Sequence, residues 1–202
     1  MSESSFLSTV SRPLILGSTS RYRRELLERL HLPFTTIAPE VDETALPDEN
    51  PYALALRLAL AKAYAVANQN PDAVVIGSDQ VSDLYGTPLG KPGTHERAVA
   101  QLRSMRNKTV QFHTAVAVVC IATGFVQSDV AHIEVKFRDL TDDEIERYLQ
   151  AEQPYDCAGS AKSEGLGISL LNAIVSDDPT ALIGLPLIRT CHMLRAAGVV
   201  LP

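Results

Sequence analysis

The chain has 202 residues, of which 46% are apolar and 21% charged, and its mean hydropathy is +0.04. This composition excludes a disordered chain, and the length fits one domain with a sizeable core. Eighteen Lys and Arg against 24 Asp and Glu give a net charge of −6, which argues against a protein that coats nucleic acid. Cys120, Cys157 and Cys191 form neither a metal-binding spacing nor a disulfide framework, which favours the cytoplasm.

Neither export nor membrane insertion is predicted. Residues 1–12 carry Glu3 where an export signal needs positive charge. The most apolar stretch, residues 52–67, contains Arg57 and Lys62 and is shorter than the roughly 20 residues of a membrane span. We interpret it as a core helix and expect no membrane partner.

The first half of the chain alternates predicted strands and helices. In order, the predicted elements are a strand over 13–17, a helix over 21–31, a strand over 34–38, an acidic loop over 39–51, a long helix, and a strand over 73–76. The run 73–76 is typical of a central strand buried on both faces. It delivers residues 77–80 at its predicted carboxyl end, where open α/β sheets place their ligands.

The second half adds an antiparallel part to the sheet. Its predicted elements are a helix over 94–105, strands over 110–121 and 125–137, a helix from a capping box at 141–144 to 150, a glycine-rich loop over 157–170, and a helix over 185–197. The turn at 123–124 joins the two long strands as a hairpin. The sequence therefore predicts an α/β fold with a mixed sheet.

Hydroxyl and guanidinium groups cluster after the first predicted strand, at Ser18 and Arg23 and their neighbours. Such groups at a helix N-terminus suit phosphate. The alternative is an ordinary serine cap followed by solvated arginines. The sequence lacks the GxxxxGK[ST], GxGxxG, HExxH and GxSxG motifs, which removes the commonest kinase, dinucleotide, zinc-protease and hydrolase interpretations.

Charged residues elsewhere offer further chemistry. Asp79 is suited to hold a divalent cation or to take a proton from water, and the amide of Gln80 beside it suits a base edge. Glu43, in the acidic loop, offers another oxygen ligand or is simply solvated. Lys62 and Lys91 can contact phosphate as point charges, although a lysine in an apolar helix also commonly extends its amine to water.

Six segments in register resemble the Maf family of nucleoside triphosphate pyrophosphatases, most closely its 7-methyl-GTP pyrophosphatase branch. These segments are LILGSTS with Arg23 and Arg24, EVDE at 40–43, KA at 62–63, GSDQ at 77–80, GKP at 90–92, and AGSAKSEG at 158–165. Arg21 stands where the family usually has proline. The resemblance covers nearly the whole chain.

The resemblance implies one Maf-like domain over 1–202 with an elongated mixed sheet, flanking helices and two lobes around a deep cleft, as in inosine triphosphate pyrophosphatases. One lobe would carry the catalytic strand ends and the other a specificity loop. A homodimer is also implied. The implied reaction is metal-dependent hydrolysis, with Mg²⁺ or Mn²⁺, of a nucleoside triphosphate to the monophosphate and pyrophosphate.

The resemblance also implies a role for each matching residue. Asp79 would accept a proton, and Glu43 with Asp79 would hold the cation. The implied phosphate contacts are Ser18, Arg23, Lys62 and Lys91. Tyr22, Gln80 and Glu164 match the positions that set base preference.

These three residues favour a modified purine. A carboxylate such as Glu164 can accept both donors of a guanine edge. Tyr22 stacked on a cationic N7-methylated ring would gain about 0.5–2 kcal/mol. The dTTP/UTP branch typically has threonine and glutamine where this chain has Gln80 and Glu164. The alternatives are a dTTP/UTP-preferring pyrophosphatase and a nucleotide-sensing regulator of cell division without significant turnover.

Overall fold

The computed structural model describes residues 12–202, so residues 1–11 of the segment on which the export prediction rests lie outside the described residues. The chain forms an α/β fold. The strands are β1 (Leu14–Gly17), β2 (Thr35–Ile37), β3 (Val74–Leu84), β4 (Thr87–Leu89), β5 (Thr109–Cys120), β6 (Phe125–Phe137) and β7 (Leu171–Val175). The helices are α1 (Arg21–Glu28), α2 (Pro51–Ala67), α3 (His95–Met105), α4 (Asp142–Glu152) and α5 (Leu187–Ala196). Within the described residues no helix has both the length and the apolar character to cross a membrane.

All seven strands belong to one mixed sheet in the order β2-β1-β3-β5-β6-β7, with β4 paired to the far end of β3. β1 runs parallel to both β2 and β3. The long β5–β6 hairpin is antiparallel, as predicted, and turns at Gly124, whose positive φ of 64° suits glycine. The predicted mixed sheet with flanking helices is therefore confirmed.

The predicted position of Asp79 at the end of a strand is wrong. β3 continues through Asp79 to Leu84, because β5 pairs with it as far as Asp83. However, β1 stops at Gly17, opposite Gly77. Among the described residues, no strand pairs with this edge of β3 from Ser78 until β4 begins to pair at Ser82. Asp79 lies in that gap, where side chains can reach a ligand.

Helix α2 packs closely on the centre of the sheet. Its buried face is mostly alanine and leucine, with Pro51, Val66 and a single charged residue, Lys62. A Cβ atom at Gly77 would lie 2.3 Å from the carbonyl oxygen of Ala59 and 2.5 Å from the amide nitrogen of Ala63. The absence of a side chain at Gly77 thus allows the helix to approach the strand and brings Lys62 over Asp79.

Other elements differ modestly from the predictions. The helix predicted over 21–31 ends at Glu28, and the last helix is shorter than 185–197. β4 and β7 were not predicted, since each is short and carries no clear alternation of apolar and polar residues. The capping box at Thr141 and Glu144 is confirmed, with both reciprocal hydrogen bonds present.

Candidate active site

A cavity of about 610 Å³ opens over the gap beside β3. Every residue for which the sequence analysis predicted a role lines it. They are Ser18, Tyr22, Arg23, Glu43, Lys62, Asp79, Gln80, Lys91 and Glu164. The structure therefore brings together residues that are far apart in the sequence, from Ser18 to Glu164.

The floor of the cavity holds a buried cation between two carboxylates. The Lys62 ammonium donates to Asp79 Oδ1 at 2.6 Å and lies 2.6 Å from Glu43 Oε1. Only 7% of the Lys62 side chain is exposed, so this lysine does not extend its amine to bulk water. Burial alone would raise the pKa of the Glu43 carboxyl, but the Lys62 ammonium and the charges of Lys91 and Arg23 outweigh it and lower that pKa.

A second group of donors lies where β1 passes into α1. Ser18 is buried, and its Oγ accepts from the amide of Ser20 at 3.1 Å. The Arg23 guanidinium reaches Ser18 Oγ at 3.5 Å and donates from Nε to the carbonyl of Gly184 at 2.9 Å. Burial lowers the pKa of Arg23, while Asp79 and Glu43 oppose that shift. Ser20 is the helix cap, which leaves Ser18 and Arg23 directed at the cavity.

Lys91 is exposed at the opposite rim of the cavity. Its loop is fixed on both sides of the lysine. Gln101 donates to the carbonyl of Gly90 at 2.9 Å, and the amide of Gly93 donates to the carbonyl of Tyr155 at 3.0 Å. The exposed lysine side chain thus extends from a loop of fixed backbone, which suits a point-charge phosphate contact.

The turn Ala181–Ile183 forms another wall, and sequence reasoning missed it. The Gln80 amide nitrogen lies within 3.0 Å of the carbonyls of Ala181 and Leu182 and of Thr114 Oγ1. Thr114 also donates to Ala181, at 2.9 Å. Because its amide nitrogen already donates to these groups, only the amide oxygen of Gln80 is free to contact a ligand. Gln80 also shapes the cavity by holding this wall in place.

The same turn is fixed from behind by a fully buried carboxylate, Asp178. Its Oδ2 accepts from the amides of Ile188 and Arg189 at the start of α5, and its Oδ1 accepts from Thr180. No local sequence motif distinguishes this aspartate from a surface one. Thr180 is only two residues away, but the amides of Ile188 and Arg189 meet the carboxylate only once the chain folds back to the start of α5.

The outer end of the cavity is lined by Tyr22 and Glu164 together with three residues to which no base contact had been assigned: Arg21, Asp156 and Cys157. Desolvation raises the pKa of the Glu164 carboxyl, although Lys162 opposes the shift. Burial raises the pKa of the Cys157 thiol to about 11. This end therefore combines an aromatic ring with two carboxylates, and its thiol is poorly reactive.

The carboxylates of Asp79 and Glu43 fit a divalent cation that also binds substrate. Within residues 12–202 no group of three or more His, Cys, Asp or Glu side chains is placed to hold a metal ion by itself. Mg²⁺ usually takes one or two protein carboxylates plus substrate phosphates. Two carboxylates that share one ammonium are compatible with that arrangement.

Comparison with known proteins identifies close relatives. The model of the family described as Maf-like protein matches residues 13–197. A protein from Polaromonas sp. (strain JS666 / ATCC BAA-500) named 7-methyl-GTP pyrophosphatase is 72% identical over 96% of this chain and 89% of its own. Proteins of the same name from Albidiferax ferrireducens and Aromatoleum aromaticum are 66% and 60% identical, and each match covers 94% of this chain and at least 96% of the relative.

Proposed function

The chain belongs to the Maf family, and we propose that it hydrolyses 7-methyl-GTP to 7-methyl-GMP and pyrophosphate. One observation carries the proposal. A carboxylate, the buried Lys62, the half-buried Arg23 and a helix-capping turn line the same cavity as an aromatic ring and a carboxylate at its outer end. The inner end suits a triphosphate and the outer end a cationic purine.

The residues at the inner end have different roles towards the triphosphate. Arg23, Lys62 and Lys91 supply positive charge from three sides, and the Ser18 hydroxyl adds a donor. Asp79 accepts a proton from the attacking water, since its carboxylate lies at the cavity floor with little exposure. Substrate phosphates would compete with Asp79 and Glu43 for the Lys62 ammonium and so free Asp79 for this role.

A divalent cation, Mg²⁺ or Mn²⁺, would be held by Glu43 and Asp79. When bound it neutralises charge on the phosphates and lowers the pKa of bound water. The residues of this chain position the triphosphate and hold the proton.

At the outer end, Glu164 accepts hydrogen bonds from the guanine edge and Tyr22 stacks on the ring. Gln80 contributes to base preference by fixing the wall at Ala181–Ile183. N7 methylation makes the base cationic, so the carboxylate and the ring face both favour it over neutral guanine. As the Maf resemblance implies, the protein would act in the cytoplasm as a homodimer that removes modified nucleotides.

The proposal is tested by pyrophosphate release from 7-methyl-GTP, GTP, dTTP, UTP and ITP with Mg²⁺ or Mn²⁺. Asp79→Asn is the matched inactive variant, since it keeps the side-chain shape and removes the proton acceptor. We expect 7-methyl-GTP to have the highest kcat/KM and Asp79→Asn to lower it by at least about 100-fold.

Three outcomes would change the assignment. A preference for dTTP or UTP would keep the reaction and refute the base assignment. Full activity of Asp79→Asn would remove its proposed role. A folded protein that binds these nucleotides and hydrolyses none would indicate a sensor in place of an enzyme.

A further inference from the structure

The outer end of the cavity already holds a planar cation. The Arg21 guanidinium lies over the Tyr22 ring, 4.7 Å from its centroid, and donates to the Tyr22 hydroxyl at 2.7 Å. Its other partner is Asp156, whose Oδ2 is 3.9 Å from the Arg21 nitrogen and 3.5 Å from the Tyr22 hydroxyl. Ring and carboxylate together thus contact one delocalised positive charge.

Arg21 is bound weakly enough to leave. Its side chain is 65% exposed, and within residues 12–202 it contacts the ring and hydroxyl of Tyr22 and the carboxylate of Asp156. Exposed ion pairs of this kind contribute little to stability. The Asp156 side chain is itself 57% exposed, but its backbone is anchored through the neighbouring Tyr155, whose carbonyl accepts from the Gly93 amide. Its carboxylate also accepts from the Tyr22 hydroxyl and from the Cys157 thiol. These two contacts do not involve Arg21, so we expect the carboxylate to stay beside the ring when the guanidinium departs.

We propose that Tyr22 and Asp156 form a site for a planar delocalised cation, which Arg21 occupies in the free protein and the N7-methylated base occupies in the complex. This inference rests on the proposed function. It adds Asp156 as a specificity-determining residue and gives Arg21 the role of an internal competitor. A guanidinium and an N7-methylated guanine are both flat and carry a spread positive charge, so the same two groups attract both.

The site discriminates between the two bases because neutral guanine, when it replaces Arg21, does not restore the lost attraction between a cation and the Tyr22 and Asp156 side chains. A methylated base regains the attraction to the ring face and to the Asp156 carboxylate, whereas guanine regains only stacking. Asp156 acts on the same charge as Glu164, but Glu164 also pairs with donors that guanine itself possesses. Asp156 therefore contributes to the choice between the two bases more selectively than Glu164 does.

The test is the ratio of kcat/KM for 7-methyl-GTP to that for GTP, measured for wild type, Asp156→Asn and Arg21→Gln. The two substrates share the triphosphate, so the ratio isolates the base. We expect Asp156→Asn to lower the ratio about three- to tenfold, mainly through a higher KM for 7-methyl-GTP. Arg21→Gln should lower the KM for 7-methyl-GTP and leave the ratio unchanged or higher.

Arg29→Gln and Asp143→Asn are the matched controls. Each removes the same charge from an exposed position outside the cavity, and each should leave the ratio unchanged. An unchanged ratio in Asp156→Asn would refute the site. An equal rise in the KM of both substrates in Arg21→Gln would make Arg21 a phosphate contact and overturn its role as competitor.

A binding measurement separates this inference from the proposed reaction. Calorimetric titration of Asp79→Asn with 7-methylguanosine and guanosine requires neither phosphate nor turnover. Tighter binding of the methylated nucleoside, lost in Asp79→Asn/Asp156→Asn and weakened from 50 to 500 mM NaCl, supports the cation site even if wild type hydrolyses nothing. Equal binding of the two nucleosides refutes the site even if 7-methyl-GTP is hydrolysed.

Discussion

Helix α2 approaches the sheet closely at Gly77, and a single methyl group there is expected to disturb both stability and activity. In Gly77→Ala the new Cβ would lie 2.3 Å from the Ala59 carbonyl oxygen and 2.9 Å from the Ala63 Cα. Both neighbours are backbone atoms of α2, so no side-chain rotation relieves the contact. The helix or the strand must move by on the order of 1 Å to restore ordinary packing distances.

Overpacking a core typically costs about 1–3 kcal/mol, and a clash with backbone belongs at the upper end. A loss of about 3 kcal/mol in a chain of this size lowers Tm by roughly 6–12 °C. The same movement carries Lys62 away from Asp79. Because a 1 Å misplacement of a catalytic group can cost about 100-fold, we expect a comparable fall in kcat/KM for 7-methyl-GTP.

The assay is urea and thermal unfolding of a graded series, with pyrophosphate release measured on the same samples. In Gly90→Ala the new Cβ meets nothing within 4 Å, and in Gly17→Ala it lies 3.2 Å from the Lys62 carbonyl. We expect Gly90→Ala to destabilise the protein least, Gly17→Ala more, and Gly77→Ala most. If Gly77→Ala unfolds within about 0.5 kcal/mol of wild type and keeps its activity, the tight approach of α2 does not position Lys62.

Three further predictions concern other parts of the structure. Burial raises the pKa of Cys157 to about 11. In a Cys191→Ser background, its alkylation by iodoacetamide should therefore be slower at pH 8 than that of a free thiol and should accelerate towards pH 11. Rapid labelling at pH 7, detected by mass spectrometry, would contradict this. Hydrogen bonds from Arg57 and from the Leu46 amide lower the pKa of Glu49 from 4.5 to about 2. Glu49 therefore stabilises its loop above pH 4.5 and loses that contribution as the pH falls towards 2. In Glu49→Gln, hydrogen exchange of residues 42–49 should be faster at pH 7 than in wild type, and the protection of these amides should change less on acidification. Thr114→Val removes a hydrogen-bond donor to the Ala181 carbonyl. It should lower the free energy of unfolding by about 1–2 kcal/mol and raise the KM for 7-methyl-GTP. The control Thr123→Val, at an exposed turn, should change neither quantity.

The sequence by itself determined most of the elements and the identity of the predicted site residues. Local periodicity and capping chemistry can be recognised from neighbouring residues alone. They predicted the apolar run before Gly77, the caps at Thr94 and Thr141, and the glycine turn at 124. The resemblance supplied nine residues with predicted roles, and all nine line the cavity, but it did not supply Asp156 or the turn at Ala181–Ile183.

Tertiary structure alone decided how those residues act on one another. Asp79 lies within β3 because pairing with β5 extends that strand, and the site opens because β1 ends early. Lys62 is held between two carboxylates because α2 approaches at Gly77, and Arg21 meets Asp156 across 135 residues of chain. Local sequence encodes backbone preference over a few residues, whereas these contacts depend on which strands pair and how closely a helix can approach them.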